Sequence, residues 1–390
     1  MNSKERVRIT FDHKEPDRVP IFEADINAPV ASEIMGRPIY IGYGGTTRVK
    51  MVAEALLEDR YETFIRQRTD DYIALYRRLG IDVFHAPPLP NHRTKPEIIN
   101  GTSWRYVNQE RGTWSIVRYS PESDMGGVVD CNITQEGLEG LKKEISIMES
   151  EGPFVDELYL GELKHVVTQV GHEMFVLGSG IGVRIPLSDC WASVFMMAMI
   201  MEPTLAHRYL DLCLERTLAL LERMIEIGVD GAVCGIDWAG STGMIISPVH
   251  FREFIMPRLK QITAKCHQYG LVYIKHTDGN VMAIKKEFFV ESGVDGYHPI
   301  DPGAGMDIGY IKNEYGHRLT LLGNVDCANT LVYGSRQEII DETISVIKKA
   351  APGGGFLLSS SNSIHSGIPA KNYLTMLEAA REYGNYPIAL

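Results

Sequence analysis

Several acidic residues and histidines of this chain directly follow short apolar segments, an arrangement typical of a metal or acid–base site. Asp237 follows one such segment, and His276 and Asp278 follow the next one along the chain. Carboxylates and imidazoles transfer protons near neutral pH and also bind zinc. We therefore predict a catalytic or metal-binding role for these three residues. For Asp278 the alternative is an N-cap of the next helix, a position that Asp favours.

Six other residues in comparable positions are candidates for the same site. They are Glu23, Asp25, Trp238, His298, Asn324 and Asn362. Glu23 and Asp25 could instead lie in a solvated loop, and Trp238 could belong to the core. His298 could serve only as a hydrogen-bonding residue of a loop, and Asn362 as a turn former.

Eight short segments, most of them apolar and rich in β-formers, lead into these polar residues and predict strands buried on both faces. Helical patterns lie between most of them, clearest over 203–227, where leucines recur every three or four residues. This alternation predicts an α/β protein with a parallel sheet, and eight repeats favour one closed (β/α)8 TIM barrel. Active-site residues of such barrels lie at the C-terminal ends of the strands. The predicted strands are 19–22, 81–84, 174–177, 231–236, 271–274, 294–297, 319–322 and 356–358.

The whole chain, residues 1–390, is predicted to form a single barrel domain with two long inserts around the second strand. The first insert covers about 27–79 and is helical in its second half; the second covers about 89–172. Within the second, residues 102–107 and 113–118 flank a loop that contains a glycine, which predicts a β-hairpin. The inserts account for most of the length beyond the roughly 250 residues typical of this barrel.

Composition excludes several classes of protein. A net charge of −11, from 50 acidic against 39 basic residues, argues against a general nucleic-acid binder. No apolar run approaches the ~20 residues that span a bilayer, and the first residues lack a signal-peptide pattern. The six cysteines form no CxxC pair. We expect a soluble, cytoplasmic protein without nucleic-acid or membrane partners; its oligomeric state is open, and a homodimer is compatible with the sequence.

Three further motifs give the chain a family resemblance. They are 2–7 together with 15–20 near the start, the turn 276–280, and the ending from 352–356 through Pro369, Asn372 and 386–387. With these motifs the chain resembles the uroporphyrinogen decarboxylase-like superfamily over nearly its whole length. The resemblance implies a single (β/α)8 barrel, as the strand count also predicts. It does not choose a function, because the superfamily contains decarboxylases and corrinoid-dependent methyltransferases.

The segment after the first predicted strand argues against a decarboxylase. Decarboxylases of this superfamily carry an arginine-rich glycine loop there, which binds the carboxylates of the substrate. Here the acidic segment 23–27 takes that place and would repel a polycarboxylate. The histidine that decarboxylases place after the last strand corresponds to Asn362.

Thiol-methylating members of the methyltransferase branch bind zinc with a His-x-Cys pair and a later cysteine. This chain has His276 and Asp278 at the first position and Asn362 near the second. The histidine is retained and both thiolates are missing, which disfavours a thiol acceptor. A harder nitrogen and oxygen set remains, with Asp237 as third member, and such a set can still hold zinc. Methyl transfer from methylcobamide to a thiol, and porphyrinogen decarboxylation, are the alternatives.

The chain most resembles the O-demethylase methyltransferases (methyltransferase I) of this branch. The resemblance implies transfer of a methyl group from an O-methyl donor, expected to be a methoxylated aromatic, to cob(I)alamin on a separate corrinoid protein. A phenolate leaving group has a conjugate-acid pKa of about 10, by analogy with tyrosine. Acid catalysis or a zinc ion held by Asp237, His276 and Asp278 would assist it. Phe22, Trp238 and Tyr297 could wall an arene pocket or belong to the core. The six further candidates are then expected to contact the substrate.

Overall fold

Seven of the predicted strand segments pair side by side in one parallel sheet. The computed structural model describes residues 1–86 and 93–389, and within these residues the strand order is β1-β6-β7-β10-β11-β12-β13. These strands are buried along nearly their whole length because helices cover the sheet. The strands are Val83–Phe84 (β1), Glu97–Asn100 (β2), Ser103–Asn108 (β3), Thr113–Ser120 (β4), Met125–Cys131 (β5), Phe175–Ser179 (β6), Gly231–Cys234 (β7), Ala239–Gly240 (β8), Gly243–Met244 (β9), Val272–His276 (β10), Gly296–His298 (β11), Thr320–Val325 (β12) and Phe356–Ser360 (β13).

Helices separate the parallel strands along the chain. Pro203–Ile227 shows the predicted pattern, with Leu210, Leu214, Leu221 and Met224 buried, and it ends at Gly228 in the left-handed conformation. None of the described helices combines the length and apolarity needed to cross a membrane. The α-helices are Ser3–Phe11 (α1), Ala28–Met35 (α2), Val52–Leu57 (α3), Tyr61–Leu79 (α4), Asn132–Glu136 (α5), Leu138–Glu151 (α6), Glu157–Val170 (α7), Ala192–Met201 (α8), Pro203–Ile227 (α9), Pro248–His250 (α10), Met256–Gln268 (α11), Ile308–Tyr315 (α12), Thr330–Tyr333 (α13), Arg336–Ala350 (α14) and Ala370–Tyr383 (α15).

The predicted first strand, 19–22, is not a regular strand. It makes a single parallel bridge, between Ile21 and Leu358 of β13. Backbone hydrogen bonds nevertheless join it to both edges of the sheet: the Phe22 N–H donates to the Leu358 carbonyl at 3.0 Å, and the Asp82 N–H donates to the Ile21 carbonyl at 2.9 Å. Pro20 lacks an N–H group, so a continuous ladder cannot form there.

The two regions predicted to be inserts differ in structure. The first is helical through α2, a π-helical turn at Thr46–Met51, α3 and α4. The second contains an antiparallel sheet in the order β2-β3-β4-β5, followed by α5, α6 and α7. Strands β3 and β4 pair from Asn108 opposite Thr113 onward, at the position of the predicted hairpin. Residues 89–92 of the predicted second insert lie outside the described residues.

Asp124, in the turn between β4 and β5, anchors the inserted sheet at the C-terminal side of the parallel strands. Its carboxylate accepts hydrogen bonds from the Thr46 amide at 2.9 Å, the Thr46 hydroxyl at 2.7 Å and the Ser366 hydroxyl at 2.6 Å. Asn27 donates a longer one at 3.3 Å. Asn27 and Ser366 follow the first and last strand segments, so this turn lies beside the loops that the active-site prediction concerns.

Candidate active site

Asp237, His276 and Asp278 form one group at the C-terminal ends of two neighbouring strands. His276 is the last residue of β10, and Asp237 lies three residues beyond β7, which pairs with β10. One ligand atom from each residue lies within 4.8 Å of the other two. His276 Nε2 is 3.4 Å from Asp278 Oδ1 and 3.8 Å from Asp237 Oδ1. The structure therefore brings together the three residues predicted to be catalytic.

The donor set of this group fits a zinc ion. Asp278 Oδ2 accepts a hydrogen bond from Asn362 Nδ2 at 2.6 Å, whereas Oδ1 is buried without a hydrogen-bond partner. An unpaired buried oxygen costs free energy, so Oδ1 needs a proton or a cation. One imidazole nitrogen and two carboxylate oxygens make three protein ligands, the number that catalytic zinc sites use while leaving a position for water or substrate. Burial raises the pKa of Asp278, and the nearby Asp237 carboxylate adds to the shift.

Lys275 holds the backbone on both sides of the group. It is fully buried, and its Nζ donates hydrogen bonds to the carbonyls of Ile236 and His276. Ile236 directly precedes Asp237, so one ammonium group fixes the chain next to two members of the group. The same Nζ lies 4.2 Å from the centre of the Trp238 ring, where a cation is attracted to the aromatic face.

Trp238 lies in the core. It is 1% exposed and packs against the rings of Phe251 and Phe288 at centroid distances of 5.1 and 5.3 Å. Tyr297, a candidate wall of an arene pocket, is also fully buried and packs against Phe288 at 5.0 Å. For both residues the structure matches the alternative interpretation as core residues.

His298 lies behind His276 rather than beside the two carboxylates. The two residues are register partners on β11 and β10, and their Nδ1 atoms are 2.7 Å apart. The His298 side chain is fully buried, with the Phe22 ring edge-on at a centroid distance of 5.3 Å. This position argues against the predicted role of His298 as a substrate contact, because His276 lies between His298 and the carboxylates.

Glu23 and Asp25 are both fully buried, so neither lies in a solvated loop. Glu23 accepts a hydrogen bond from the Ser360 hydroxyl at 2.7 Å, and burial raises its pKa to about 8. Asp25 Oδ1 accepts one from the Tyr72 hydroxyl at 2.8 Å, while Oδ2 is buried without a partner. Burial raises the pKa of Asp25 to about 6. Burial thus shifts the pKa of both carboxyl groups upward, further for Glu23 than for Asp25.

Asn362 and Asn324 occupy different environments. Asn362 is half-buried and contacts the Asp237–His276–Asp278 group through its hydrogen bond to Asp278. Asn324 is buried, and its Nδ2 donates to the Ile300 carbonyl at 2.8 Å. That bond holds the loop after β11, so the amide nitrogen of Asn324 is already engaged by the protein.

Comparison with known proteins identifies the family of this chain. The uroporphyrinogen decarboxylase (URO-D) family matches residues 189–383, which is half of the 390-residue chain. The chain belongs to the URO-D family. The matched region contains β7 to β13 and all three residues of the Asp237–His276–Asp278 group.

Two relatives of the chain carry different activities in their names. The methylcobamide:CoM methyltransferase MtaA of Methanosarcina barkeri is 28% identical over 226 residues, which are 57% of this chain and 63% of MtaA. A uroporphyrinogen decarboxylase of Coxiella burnetii is 23% identical over 188 residues, 47% of this chain and 48% of that protein. The chain thus spans less than two thirds of the length of either relative.

A solved structure shows the same fold along the whole chain. The methyltransferase from Methanosarcina mazei superposes with a TM-score of 0.70, covering 98% of this chain and 99% of that one at 18% identity. This likeness shows the fold alone, a parallel sheet with covering helices that resembles a TIM barrel. Because the fold hosts more than one chemistry, the side chains of the site must decide the function.

Sequence reasoning missed the supporting residues of this URO-D site. The predicted site residues did not include Lys275, Ser359 or Ser360. Both serines are buried at the end of β13. Three consecutive serines directly after the apolar run 356–358 were the available signal, since hydroxyls at the end of a buried strand must find partners.

Glu23 is expected to make the folded protein less stable as pH rises. Because burial raises its pKa from 4.5 to about 8, the folded state keeps a proton that the unfolded chain releases. The stabilisation is complete below the unfolded pKa and is lost progressively up to the folded one. The slope is at most about 1.4 kcal/mol per pH unit.

Glu23→Gln should flatten this profile while keeping an oxygen for the Ser360 hydroxyl. Urea unfolding of both proteins between about pH 5 and pH 8 measures the difference in slope. Glu33→Gln, at an exposed carboxylate, is the control and should leave the profile unchanged. Parallel profiles for wild type and Glu23→Gln would contradict the expectation.

Proposed function

We propose that this protein is a corrinoid-dependent methyltransferase that takes a methyl group from an O-methyl donor, of the methoxylated aromatic class, and transfers it to cob(I)alamin on a separate corrinoid protein. The observation that carries the proposal is the Asp237–His276–Asp278 group, which contains no thiolate. Oxygen and nitrogen ligands suit a site that assists an oxygen leaving group. We also propose that residues 1–390 form one barrel domain, supported by the hydrogen bonds from 20–22 to both sheet edges.

In this proposal the site residues have different roles. Asp278 holds a proton near the ether oxygen, favoured by its raised pKa, and Asn362 orients its carboxyl group. Protonation of the leaving oxygen contributes roughly 10²–10⁴ to such reactions. In place of that proton, a zinc ion held by the same three residues, with Asp278 ionised, would supply Lewis-acid assistance to that oxygen. Glu23, Trp238, His298 and Asn324 act through packing and hydrogen bonds rather than by contacting the donor.

Methyl transfer from methylcobamide to a thiol is the second candidate, favoured by the 28% identity to MtaA. The nearby Cys327, two residues after β12, does not supply the missing thiolate. Its Sγ accepts a hydrogen bond from the Ser361 hydroxyl at 3.3 Å, and burial raises its pKa to about 11. It therefore stays protonated near neutral pH, and it is not part of the group that could hold a metal among the described residues. This disfavours the thiol reaction.

Decarboxylation is the third candidate, since several relatives bear that name. The segment after the predicted first strand places the carboxyl groups of Glu23 and Asp25 in the interior. Neither residue offers a positive charge to a polycarboxylate, so this segment provides no support for porphyrinogen binding.

The test is anaerobic incubation of the purified protein with free cob(I)alamin and a panel of methoxyarenes. We expect conversion to methylcobalamin, visible in the absorption spectrum and dependent on both the protein and the methoxyarene. The same preparation is assayed for methylation of coenzyme M by methylcobalamin and for carbon dioxide release from uroporphyrinogen. Activity in either of these assays, with none toward methoxyarenes, would replace the proposal with the corresponding alternative.

A further inference from the structure

We infer that His298 and Ser359 are positioning residues that fix the tautomer of His276, so that Nδ1 carries the proton and Nε2 presents a lone pair to Asp237 and Asp278. The catalytic meaning of this inference rests on the proposed function. The tautomer itself rests only on hydrogen-bond geometry in the interior of the sheet. A ring in the other tautomer would direct an N–H group at the carboxylates and could not bind a metal through Nε2.

The direction of the hydrogen bonds is set at Ser359. Its hydroxyl oxygen lies 2.8 Å from the Ser360 carbonyl oxygen, which can only accept, so the single hydroxyl proton points there. The same hydroxyl oxygen lies 3.1 Å from His298 Nε2. It must accept in this second contact, and His298 Nε2 therefore carries a hydrogen.

The next step concerns the contact between the two histidines. None of the described carboxylates forms an ion pair with His298, which is fully buried, so a positively charged ring would be uncompensated there. A neutral His298 that is protonated at Nε2 has a lone pair at Nδ1. The Nδ1 atoms of His298 and His276 are 2.7 Å apart, and such a contact requires one proton between them. That proton belongs to His276 Nδ1.

As a result, lone pairs of one nitrogen and two carboxylate oxygens face one another at the Nε2 side of His276. Its Nε2 lone pair faces Asp278 Oδ1 at 3.4 Å and Asp237 Oδ1 at 3.8 Å. These atoms repel one another unless a cation, or a proton carried by a carboxyl oxygen, lies between them, which agrees with the lack of a hydrogen-bond partner at Asp278 Oδ1. Histidines that bind metals commonly donate their second ring N–H to such a partner, which fixes the ring and raises its basicity.

The strands make this arrangement rigid. His276 and His298 are register partners at the ends of β10 and β11, and Ser359 lies on β13 in the same sheet. Side chains held on strands keep their geometry better than side chains on loops. The three residues thus form a fixed relay behind the catalytic group, separate from the loop that carries Asp237.

The first test measures the tautomer in metal-free protein labelled with ¹⁵N-histidine. Long-range nitrogen–proton NMR spectra distinguish a protonated from an unprotonated ring nitrogen, and His276→Ala assigns the signals of His276. We expect a hydrogen at Nδ1 of His276 and at Nε2 of His298. A hydrogen at Nε2 of His276 would overturn the inference, whatever the enzyme catalyses.

The second test measures zinc affinity by competition with a chromophoric chelator. His298→Leu, which cannot accept from His276, should weaken zinc binding by about 10–100-fold. His298→Asn should recover most of the loss, because its side-chain oxygen can accept from Nδ1–H. Ser359→Ala keeps the ring and removes its anchor, and should weaken binding to an intermediate degree. Ser361→Ala, at a buried serine outside the relay, is the control.

Thermal unfolding shows whether each variant is folded. If His298→Leu is not folded, the zinc affinities of Ser359→Ala and His298→Asn are compared with that of the wild type instead. Wild-type affinity in His298→Leu, or equal weakness of the asparagine and leucine variants, would contradict the relay. If no protein binds zinc, the NMR result alone decides. Failure of the proposed function appears differently, as a correct tautomer and tight zinc binding without methylation of cob(I)alamin.

Discussion

His276→Ala should lower the rate of cob(I)alamin methylation by about 10²–10⁴, the contribution typical of a positioned acid–base group. The substitution removes the imidazole from the catalytic group and leaves Asp237 and Asp278 as two neighbouring carboxylates. Like charges so close together favour protonation of one of them rather than metal binding. The measurement is the initial rate with a methoxyarene, together with elemental analysis for zinc.

The control for this experiment is His317→Ala, at an exposed histidine outside the site. If wild type contains zinc and His276→Ala does not, the group holds the metal. If neither contains zinc, acid catalysis is the simpler mechanism, and Asp278→Asn should then lose most of the activity. Full activity and unchanged zinc in His276→Ala would show that the catalytic group lies elsewhere.

Asp82→Ala should reduce the free energy of unfolding by about 3–5 kcal/mol, the usual cost of removing one partner of a buried ion pair. Asp82 is fully buried and pairs with Arg6 at 2.7 Å and Arg18 at 2.8 Å. Its carboxylate also accepts a hydrogen bond from the Ile21 amide at 2.7 Å. Without it, the two guanidinium groups lose their shared anion.

Urea denaturation followed by circular dichroism measures this loss. The matched control is Asp12→Ala, whose partner Lys14 is 3.7 Å away and whose side chain is 67% exposed. A surface pair of this kind contributes only about 0–1 kcal/mol. A difference of less than about 1 kcal/mol between the two variants would contradict the buried-pair argument.

This ion-pair cluster explains the conspicuous N-terminal motif. Arg6 and Asp17 pair at 2.6 Å, and both arginines converge on Asp82 beside the predicted first strand. Pro20 interrupts the backbone ladder of segment 19–22. Side-chain contacts therefore help to hold that segment against the sheet. The motif thus supports the fold and does not contribute a side chain to the Asp237–His276–Asp278 group.

Sequence patterns predicted the seven regular parallel strands because each is buried on both faces and reads as a short apolar run. The same patterns missed β2 and β5. Glu97–Asn100 is exposed at every position, and Met125–Cys131 is mostly exposed, so neither shows the alternation that marks a half-buried strand. Pro20, in contrast, indicated that segment 19–22 would not form a regular strand.

The sequence predicted which residues lie at the C-terminal ends of the strands, and to that extent it predicted the candidate site. Asp237, His276 and Asp278 follow strands at the end where barrels place their catalytic residues, and they meet in the structure. The same rule also selected Trp238 and Asn324, which are buried. Strand position says at which end of the sheet a residue lies, and it does not say whether its side chain faces the open site or the core.

By itself, the sequence determined the alternation of strands and helices, the family and the residue types at the strand ends, because these are local patterns. Only the tertiary structure decided which side chains meet. The Glu23–Ser360 contact joins residues 337 positions apart, and the His298–Ser359 contact joins residues 61 apart. The burial that raises the pKa of Glu23 and the register that pairs His276 with His298 come from distant segments packed together. Such long-range packing leaves no pattern in the neighbouring sequence, so the protonation states of the site could be inferred only from the folded molecule.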